Sequence, residues 1–270
     1  MNDAYPVLFV SHGAPTFAID PGIAGARLAE LGRELPRPTA IVVISPHWMT
    51  RGGVRIGASA APKTIHDFGG FADELYRLQY PAAGSPELAG RIRQLLADAG
   101  WHAETDAQRG LDHGAWVPLL HLLPAADVPV VQVSMPWPLS PENAWKLGQA
   151  LRPLRESGVL LLASGSLTHN LYEFRGQHGA PAEYVTRFAA WTAEALTAHD
   201  LPSLFEYRRL APAAERAHPS DEHLIPLFVA LGAAGEDYRL RILDGGVAYG
   251  MLAMDSYLFS SADTPESQAA

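Results

Sequence analysis

Apolar positions along this chain follow two rhythms. Short continuous runs rich in Val, Ile and Leu, bounded by turn residues, recur at Pro6 to Val10, Ala40 to Ile44, Val128 to Val133 and Val159 to Ala163. Runs of that length without alternation read as strands buried on both faces. Between them the apolar residues repeat every three or four positions. Leu88, Ile92, Leu95 and Leu96 follow Ser85-Pro86, and Leu147, Leu151 and Leu154 follow Ser140-Pro141. Each of these segments offers a serine N-cap and a proline at the first helical position, where its missing N–H costs nothing. A third amphipathic stretch carries Tyr184, Phe188, Trp191 and Ala195 on one face, a fourth runs from about Glu222 to Leu231, and an apolar helix is expected over Trp116 to Leu123. Two strand-like runs, Tyr238 to Leu243 and Val247 to Phe259, follow them.

Strands alternating with helices predict an α/β fold, a layered, mostly parallel central sheet with helices on both faces. A chain of 270 residues can bury roughly 75% of its unfolded surface, so a sizeable core is available. No internal repeat, low-complexity linker or composition break divides it. The expectation is a single domain over 1–262, followed by a disordered tail over 263–270 that contains Pro265, Ser267 and Gln268.

Composition narrows the chemistry. Lysine occurs only at Lys63 and Lys146, and the formal net charge is -9, so a phosphate backbone finds no basic stripe and nucleic acid is not an expected partner. The uninterrupted apolar stretches are strand-sized, whereas a membrane helix needs about 20 residues, so no membrane association is expected. Met1 to Val10 has no basic segment ahead of its short apolar run, which favours a cytoplasmic protein. The oligomeric state is not legible. With no cysteine there is no thiolate zinc knuckle and no Cys nucleophile, and any metal must be held by imidazole and carboxylate. The eleven histidines therefore become the residues to place.

In open parallel sheets, ligands collect beyond the carboxyl ends of strands. Three histidines fall there: His12 in Ser11-His12-Gly13, His47 in Ser45-Pro46-His47-Trp48, and His169 in the segment after the strand ending at Ala163. His223 lies near the start of a helix, and His113 just before another in Gly110-Leu111-Asp112-His113-Gly114. One loop histidine alone is ordinarily a hydrogen-bonded structural residue. A strand-end set is a functional candidate. His121 reads as a core or boundary residue, and His102, His178 and His199 as surface positions. His218 and His223 are five apart, not the i, i+4 spacing that puts two ligands on one helix face, so at most one is a primary ligand. Met251 and Met254 read as strand packing, Tyr172 and Phe174 as core or pocket wall. There is no P-loop, no dinucleotide fingerprint and no nucleophile elbow, and a Ser/His/Asp triad lacks a positioned acid.

Several blocks in one order resemble a known family. They are Val7-Leu8-Phe9-Val10-Ser11-His12-Gly13, Ile41-Val42-Val43-Ile44-Ser45-Pro46-His47-Trp48, Thr64-Ile65-His66-Asp67-Phe68-Gly69-Gly70-Phe71, Tyr80-Pro81-Ala82, Gly110-Leu111-Asp112-His113-Gly114-Ala115-Trp116, Ala163-Ser164-Gly165-Ser166 and Pro219-Ser220-Asp221-Glu222-His223-Leu224-Ile225-Pro226-Leu227. Together they resemble the class III extradiol ring-cleavage dioxygenases, in the 4,5-DOPA dioxygenase extradiol branch, over nearly the whole chain.

The resemblance implies one divalent metal per chain, Fe(II) for dioxygenase activity or Zn(II) as bound, held by His12, His47 and His223. His169 is then a fourth ligand or the acid/base, and His113 a hydrogen-bonding partner of the bound oxygens. The block His66 to Phe71 would line the substrate pocket, with His66 and Phe68 as substrate-binding residues, although Phe68 and Phe71 could equally be core. The wider superfamily uses two histidines and a carboxylate, the face of non-haem Fe(II) oxygenases. Here the matching position is His223, and the adjacent Glu222 should point elsewhere. The implied substrates are O2 and a DOPA-like or otherwise substituted catechol. A redox metal is needed because triplet dioxygen does not react directly with a singlet catechol. A carboxylate on the catechol would need a local cation, for which Arg109 and Arg175 are the neighbours in sequence, each equally able to make a surface pair. Two other readings stand beside this one: a non-catalytic metal-binding protein on the same fold, and a zinc-dependent hydrolase.

Overall fold

The computed structural model describes residues 4–175 and 179–262, and within them the buried apolar runs become neighbours in one sheet. Its strands are β1 (Val7–Ser11), β2 (Ala40–Thr50), β3 (Val54–Gly57), β4 (Ala103–Asp106), β5 (Val130–Pro136), β6 (Val159–Gly165), β7 (Tyr238–Leu243) and β10 (Ser256–Ser261). A two-stranded ribbon, β8 (Val247–Ala248) with β9 (Leu252–Ala253), stands apart. The eight-stranded order is β4-β3-β5-β2-β6-β1-β10-β7. The four central strands β5, β2, β6 and β1 run parallel, while β10 pairs antiparallel with both β1 and β7 at one side. The carboxyl ends of the parallel strands therefore open onto one edge, with β6 between β1 and β2.

The helices are α1 (Gly22–Glu34), α2 (Pro86–Asp98), α3 (His113–Leu122), α4 (Pro141–Leu151), α5 (Glu183–Thr197), α6 (Leu201–Phe205), α7 (Tyr207–Leu210), α8 (Ala214–Ala217) and α9 (Ile225–Ala234). The two Ser-Pro starts form as the sequence dictates: Ser85 accepts from the Leu88 N–H and Ser140 from the Asn143 N–H. Helices α1 and α3 pack together, α4 and α9 pack together, and α3 and α9 both lie on β2 and β6, so the parallel strands are covered on both faces. Every residue of α9 is buried, which is the burial expected of a helix that is apolar all round.

Four departures from the sequence-based expectation have local causes. Strand β2 continues past Ile44 to Thr50 through a register shift between Ile44 and Met49, so His47 sits in an irregular stretch of the strand instead of a following loop. Pro46, which cannot donate to a ladder, lies in that stretch. The run from Val247 to Phe259 is broken by Tyr249 and Gly250 at positive φ and becomes β8, β9 and β10. Helix α9 begins at Ile225 because residues 222–224 form a turn closed by Leu224 N–H to Asp221 O at 2.9 Å. Helix α1 and strands β3 and β4 were not foreshadowed. Helix α1 contains Gly22, Gly25 and Gly32, which depress helix propensity, and β4 is a largely exposed polar edge strand.

One buried cation belongs to the scaffold. Arg155, 2% exposed, donates from Nε to Tyr5 O at 2.7 Å and from Nη1 to Ala233 O and Ala234 O at 3.0 and 2.9 Å, capping the end of α9. Burial pushes its pKa down to about 10. Residues 263–270, expected to be a tail, lie outside the described residues, as does His178.

Candidate metal centre

Five imidazoles converge at the carboxyl edge of the parallel strands. His12 follows β1, its backbone N–H extending the ladder to Gly165 O at 2.9 Å. His47 comes from the irregular end of β2, His113 opens α3, His169 ends the segment after β6, and His223 lies in the turn before α9. Ring centroids of His12 lie 5.1 Å from His47, 5.5 Å from His113 and 5.5 Å from His223. His47 is 3.9 Å from His113 and 5.2 Å from His223, and His169 stacks on His223 at 3.4 Å.

Local sequence makes this approach possible. Gly13 adopts φ +62, a conformation that L side chains rarely take, and a Cβ there would meet Met254. Gly114 lets the first turn of α3 lie against β2, since a Cβ would overlap Ser45 Oγ and come 3.0 Å from His47 Cδ2. Asp112 caps α3 by accepting from the Ala115 N–H, and is itself held by Arg109 and Gln132. On the opposite wall, Ser166 N–H donates to His223 O and His169 N–H to Ala217 O, both at 2.8 Å, tying the segment after β6 to the segment before α9. Asp221 holds that turn through Tyr207 and Arg208.

Two of the five rings have Nδ1 in a hydrogen bond, and the Nδ1 atoms of two more face the Asp67 carboxylate. His12 Nδ1 lies 2.9 Å from Ser164 Oγ, His113 Nδ1 lies 3.0 Å from Asp67 Oδ1, His223 Nδ1 lies 2.9 Å from Glu222 Oε1, and His47 Nδ1 faces Asp67 Oδ2 at 3.7 Å. Metal-binding histidines ordinarily use one ring nitrogen for such a partner and leave the other for the ion. The Nε2 atoms of His12 and His47 face each other at 3.2 Å, and Nε2 of His223 is buried without a partner. Which of the two facing atoms carries hydrogen is set by the tautomers, and hydrogen on both Nδ1 atoms would leave both Nε2 lone pairs for an ion.

His12, His47, His169 and His223 are held neutral at pH 7 by their surroundings. Burial, and then the neighbouring imidazoles, hold His12 and His223 well below the ordinary histidine pKa. Burial and His113 push His47 down to about 3 even though Asp67 pulls the other way. His169 is lowered to about 4, again mainly by burial, with Glu222 opposing. Asp67 is pushed up by burial but more strongly down by His113 and His47, to about 2, so it is ionised. Neutral imidazoles with the ionised Asp67 beside them are a donor set that suits a divalent transition metal such as zinc or iron.

Ligand atoms of His12, His47 and His113 all lie within 4.8 Å of one another, and so do those of His169, Glu222 and His223. The expected trio of His12, His47 and His223 is thus shared between two walls of one cavity. Glu222 does turn toward the site, but its carboxylate is engaged by His223 Nδ1 and by Ser220 Oγ at 3.0 Å. The cavity, about 370 Å³, is lined by all five histidines together with Phe68, Phe71, Phe174, Leu171 and Leu252. Of the two residues expected to contact substrate, Phe68 is on this wall. His66 stands beside it, its ring 5.8 Å from that of Phe68, with Nε2 bonded to Leu78 O at 3.0 Å.

The remaining candidates lie elsewhere. His218 is fully buried with Nε2 bonded to Leu167 O, His121 is bonded to Phe17 O, and His102 and His199 are exposed. Met251 and Met254 are buried, Phe174 faces the cavity, and Tyr172 is exposed. Ser164, Asp67 and Glu222, which orient the rings, carry no sequence signal of that role beyond lying inside the quoted blocks.

Comparison with known proteins gives a consistent picture. A family model described as the catalytic LigB subunit of aromatic ring-opening dioxygenase matches residues 9–259. A Beta vulgaris protein named 4,5-DOPA dioxygenase extradiol is 42% identical over 257 residues, covering 94% of this chain and 96% of that protein. One of the same name from Escherichia coli K12 is 38% identical over 259 residues, covering 92% of each. The crystal structure of an uncharacterized protein from Escherichia coli K12 is similar with a TM-score of 0.77 at 30% identity, covering 94% of this chain and 99% of that one.

Proposed function

Because this chain belongs to the LigB family of aromatic ring-opening dioxygenases, we propose that it opens a catechol ring by the extradiol route, with O2 as co-substrate. The bond broken joins a hydroxylated carbon to its unsubstituted neighbour, and both atoms of O2 enter the product, a muconate-type semialdehyde. The observation that carries this reading is the set of anchored imidazoles whose Nε2 atoms are left for one ion beside an aromatic-walled cavity.

His12, His47 and His223 would hold a divalent metal. When bound, that metal supplies a meeting point for catechol and dioxygen at which the spin mismatch between them is relieved. The residues of the chain supply the rest. His169, neutral at pH 7 because burial holds its pKa near 4, accepts the second catechol hydroxyl proton and returns it as the ring opens. His113, its Nδ1 facing the Asp67 carboxylate at 3.0 Å, presents Nε2 for hydrogen bonding to the substrate oxygens. Phe68, Phe71 and Phe174 form an apolar wall for the ring and keep water away from it. His66 acts on the substrate through Phe68, against whose ring it packs edge-on.

The close grouping of His113 with His12 and His47 favours a second ligand set in which His113 replaces His223. Metal stoichiometry separates the two: His223→Ala should lose the ion and His113→Ala should keep it, and the reverse outcome reassigns the set. The function itself is tested by oxygen uptake with a catechol panel after anaerobic Fe(II) loading. No consumption above the metal-free control, from folded protein with metal bound, removes the dioxygenase reading in favour of a metal-binding protein. Turnover of an ester under argon with Zn(II) would point to hydrolysis instead.

A further inference from the structure

We propose that His218 is a positioning residue for His169: from a buried place behind the site it holds the main chain that carries His169, and so fixes where that imidazole stands over His223. This rests on the catechol-cleaving reading above, in which His169 moves the proton.

His218 follows α8 and is fully buried. Its Nε2 lies 2.8 Å from Leu167 O. A carbonyl only accepts, so the hydrogen is on Nε2 and Nδ1 carries a lone pair. That Nδ1 is buried without a hydrogen-bond partner among the described residues, a cost that a side chain serving only to fill space would not incur. The bond to Leu167 O lies between two others that join the same segments: Ser166 N–H donates to His223 O and His169 N–H to Ala217 O, each at 2.8 Å. His218 supplies the side-chain member of this set. Its ring is walled by Phe188 and Tyr207, with centroids 5.3 and 6.5 Å away, and its own carbonyl accepts from Arg208 Nη1 at 2.6 Å. Arg208 also pairs with Asp221, so the ring, its carbonyl and the turn that carries His223 move as one unit. Burial pushes the His218 pKa down to about 3, which keeps the ring a neutral donor at pH 7. The result is the face-to-face placement of His169 on His223, with centroids 3.4 Å apart and planes 9° from parallel. A shift of about 1 Å in a reacting group can cost about 100-fold in rate, so a donor bonded to the main chain beside His169 bears directly on proton transfer.

The test compares His218→Phe, which keeps a ring and loses the donor, with His218→Gln, whose amide nitrogen stands as many bonds from Cβ as Nε2 does, and His218→Asn, whose amide stops short. One readout is kcat and KM for catechol-dependent oxygen uptake by the Fe(II)-loaded enzyme. The other needs no turnover: the His169 ring resonances in isotope-labelled, Zn(II)-loaded protein, assigned by their loss in His169→Phe, which report its stacking on the His223 ring. The Phe and Asn variants should lower kcat by about ten- to a hundredfold with KM within about threefold, and should displace the resonances at unchanged metal content. The Gln variant should restore both. Resonances that do not move, or a kcat within about twofold of wild type, overturn the proposal. An equal loss in the Phe and Gln variants also overturns it, since the ring would then act by shape alone, and loss of metal would place the effect on His223 instead. If His218→Phe does not fold, the Asn and Gln variants carry the same comparison. No oxygen uptake by the wild type with any catechol removes the ring-cleavage reading, and the resonances then decide the placement of His169 by themselves.

Discussion

Replacing Asp67 by asparagine changes one charge and almost no volume, yet it touches two of the converging rings. Asp67 Oδ1 lies 3.0 Å from His113 Nδ1 and accepts from the His113 backbone N–H at 2.9 Å, while Oδ2 faces His47 Nδ1 at 3.7 Å. The carboxylate therefore favours hydrogen on Nδ1 of His113, and more weakly on Nδ1 of His47, which leaves the lone pair on Nε2. Holding Asp67 at about 2 instead of its ordinary 3.8, against the cost of burial, corresponds to roughly 2–3 kcal/mol of net favourable interaction with its surroundings. That figure agrees with the roughly 10- to 100-fold loss of metal affinity that follows removal of a carboxylate behind a ligating histidine. Asp67→Asn should accordingly weaken Zn(II) binding by between one and two orders of magnitude, measured by competition with a chromophoric chelator at neutral pH. The amide oxygen can still accept from the His113 N–H, so the far-UV circular dichroism should not change. A dissociation constant within about twofold of wild type would show that the rings are oriented without Asp67, and the tautomer argument would fall.

Three further perturbations probe the scaffold around the site. Gly114→Ala would ordinarily add about 1 kcal/mol of helix propensity, but its Cβ overlaps Ser45 Oγ and presses on His47 Cδ2, so the sign should reverse to about 1–3 kcal/mol of destabilisation with weaker metal binding; a gain in urea midpoint would refute the close approach. Arg155→Met leaves the carbonyls of Tyr5, Ala233 and Ala234 without their buried donor and should cost about 3–5 kcal/mol, and a loss below about 1 kcal/mol in urea unfolding would show that water replaces the guanidinium. Metal-free protein should lose stability as pH falls below about 6.5, because unfolded histidines take up protons there while His218 and His47, held near 3, and His169, held near 4, do not. Each contributes about 1.4 kcal/mol per pH unit until its folded pKa is reached, and a melting temperature flat between neutrality and about pH 5 would contradict the burial of these rings.

How much of this was legible in the sequence depends on which forces place each residue. His12 and His169 could be placed because the buried runs ending at Val10 and Ala163 are parallel strands, and such strands end at one edge. His47 was placed at the right edge for a partly wrong reason, since β2 does not end at Ile44 but bends through Pro46. His113 and His223 stand at helix starts, where no periodicity marks them, and only the family resemblance gave them roles. Asp67 was invisible as an orienting residue because nothing local fixes it. Its segment is positioned by the bridge between Thr64 and Leu111 and by Trp116 Nε1–H donating to Ile65 O at 2.9 Å, contacts that exist only in the folded chain.

The same dependence on tertiary placement predicts how metal and folding are coupled. The proposed ligands, which come from the end of β1, from β2 and from the turn before α9, cannot form a site in the unfolded chain. Metal must therefore bind the native state almost exclusively, and stabilise it by RT ln(1 + [M]/Kd), about 2.7 kcal/mol at a free concentration one hundred times the dissociation constant. For a domain of this size that is a rise of several degrees in melting temperature, increasing with the logarithm of free metal and abolished by His12→Ala. If stoichiometric Zn(II) is bound, as measured by elemental analysis, but the melting temperature does not move, the ion is held by groups that persist on unfolding. The convergence of imidazoles at the strand ends would then not be its site.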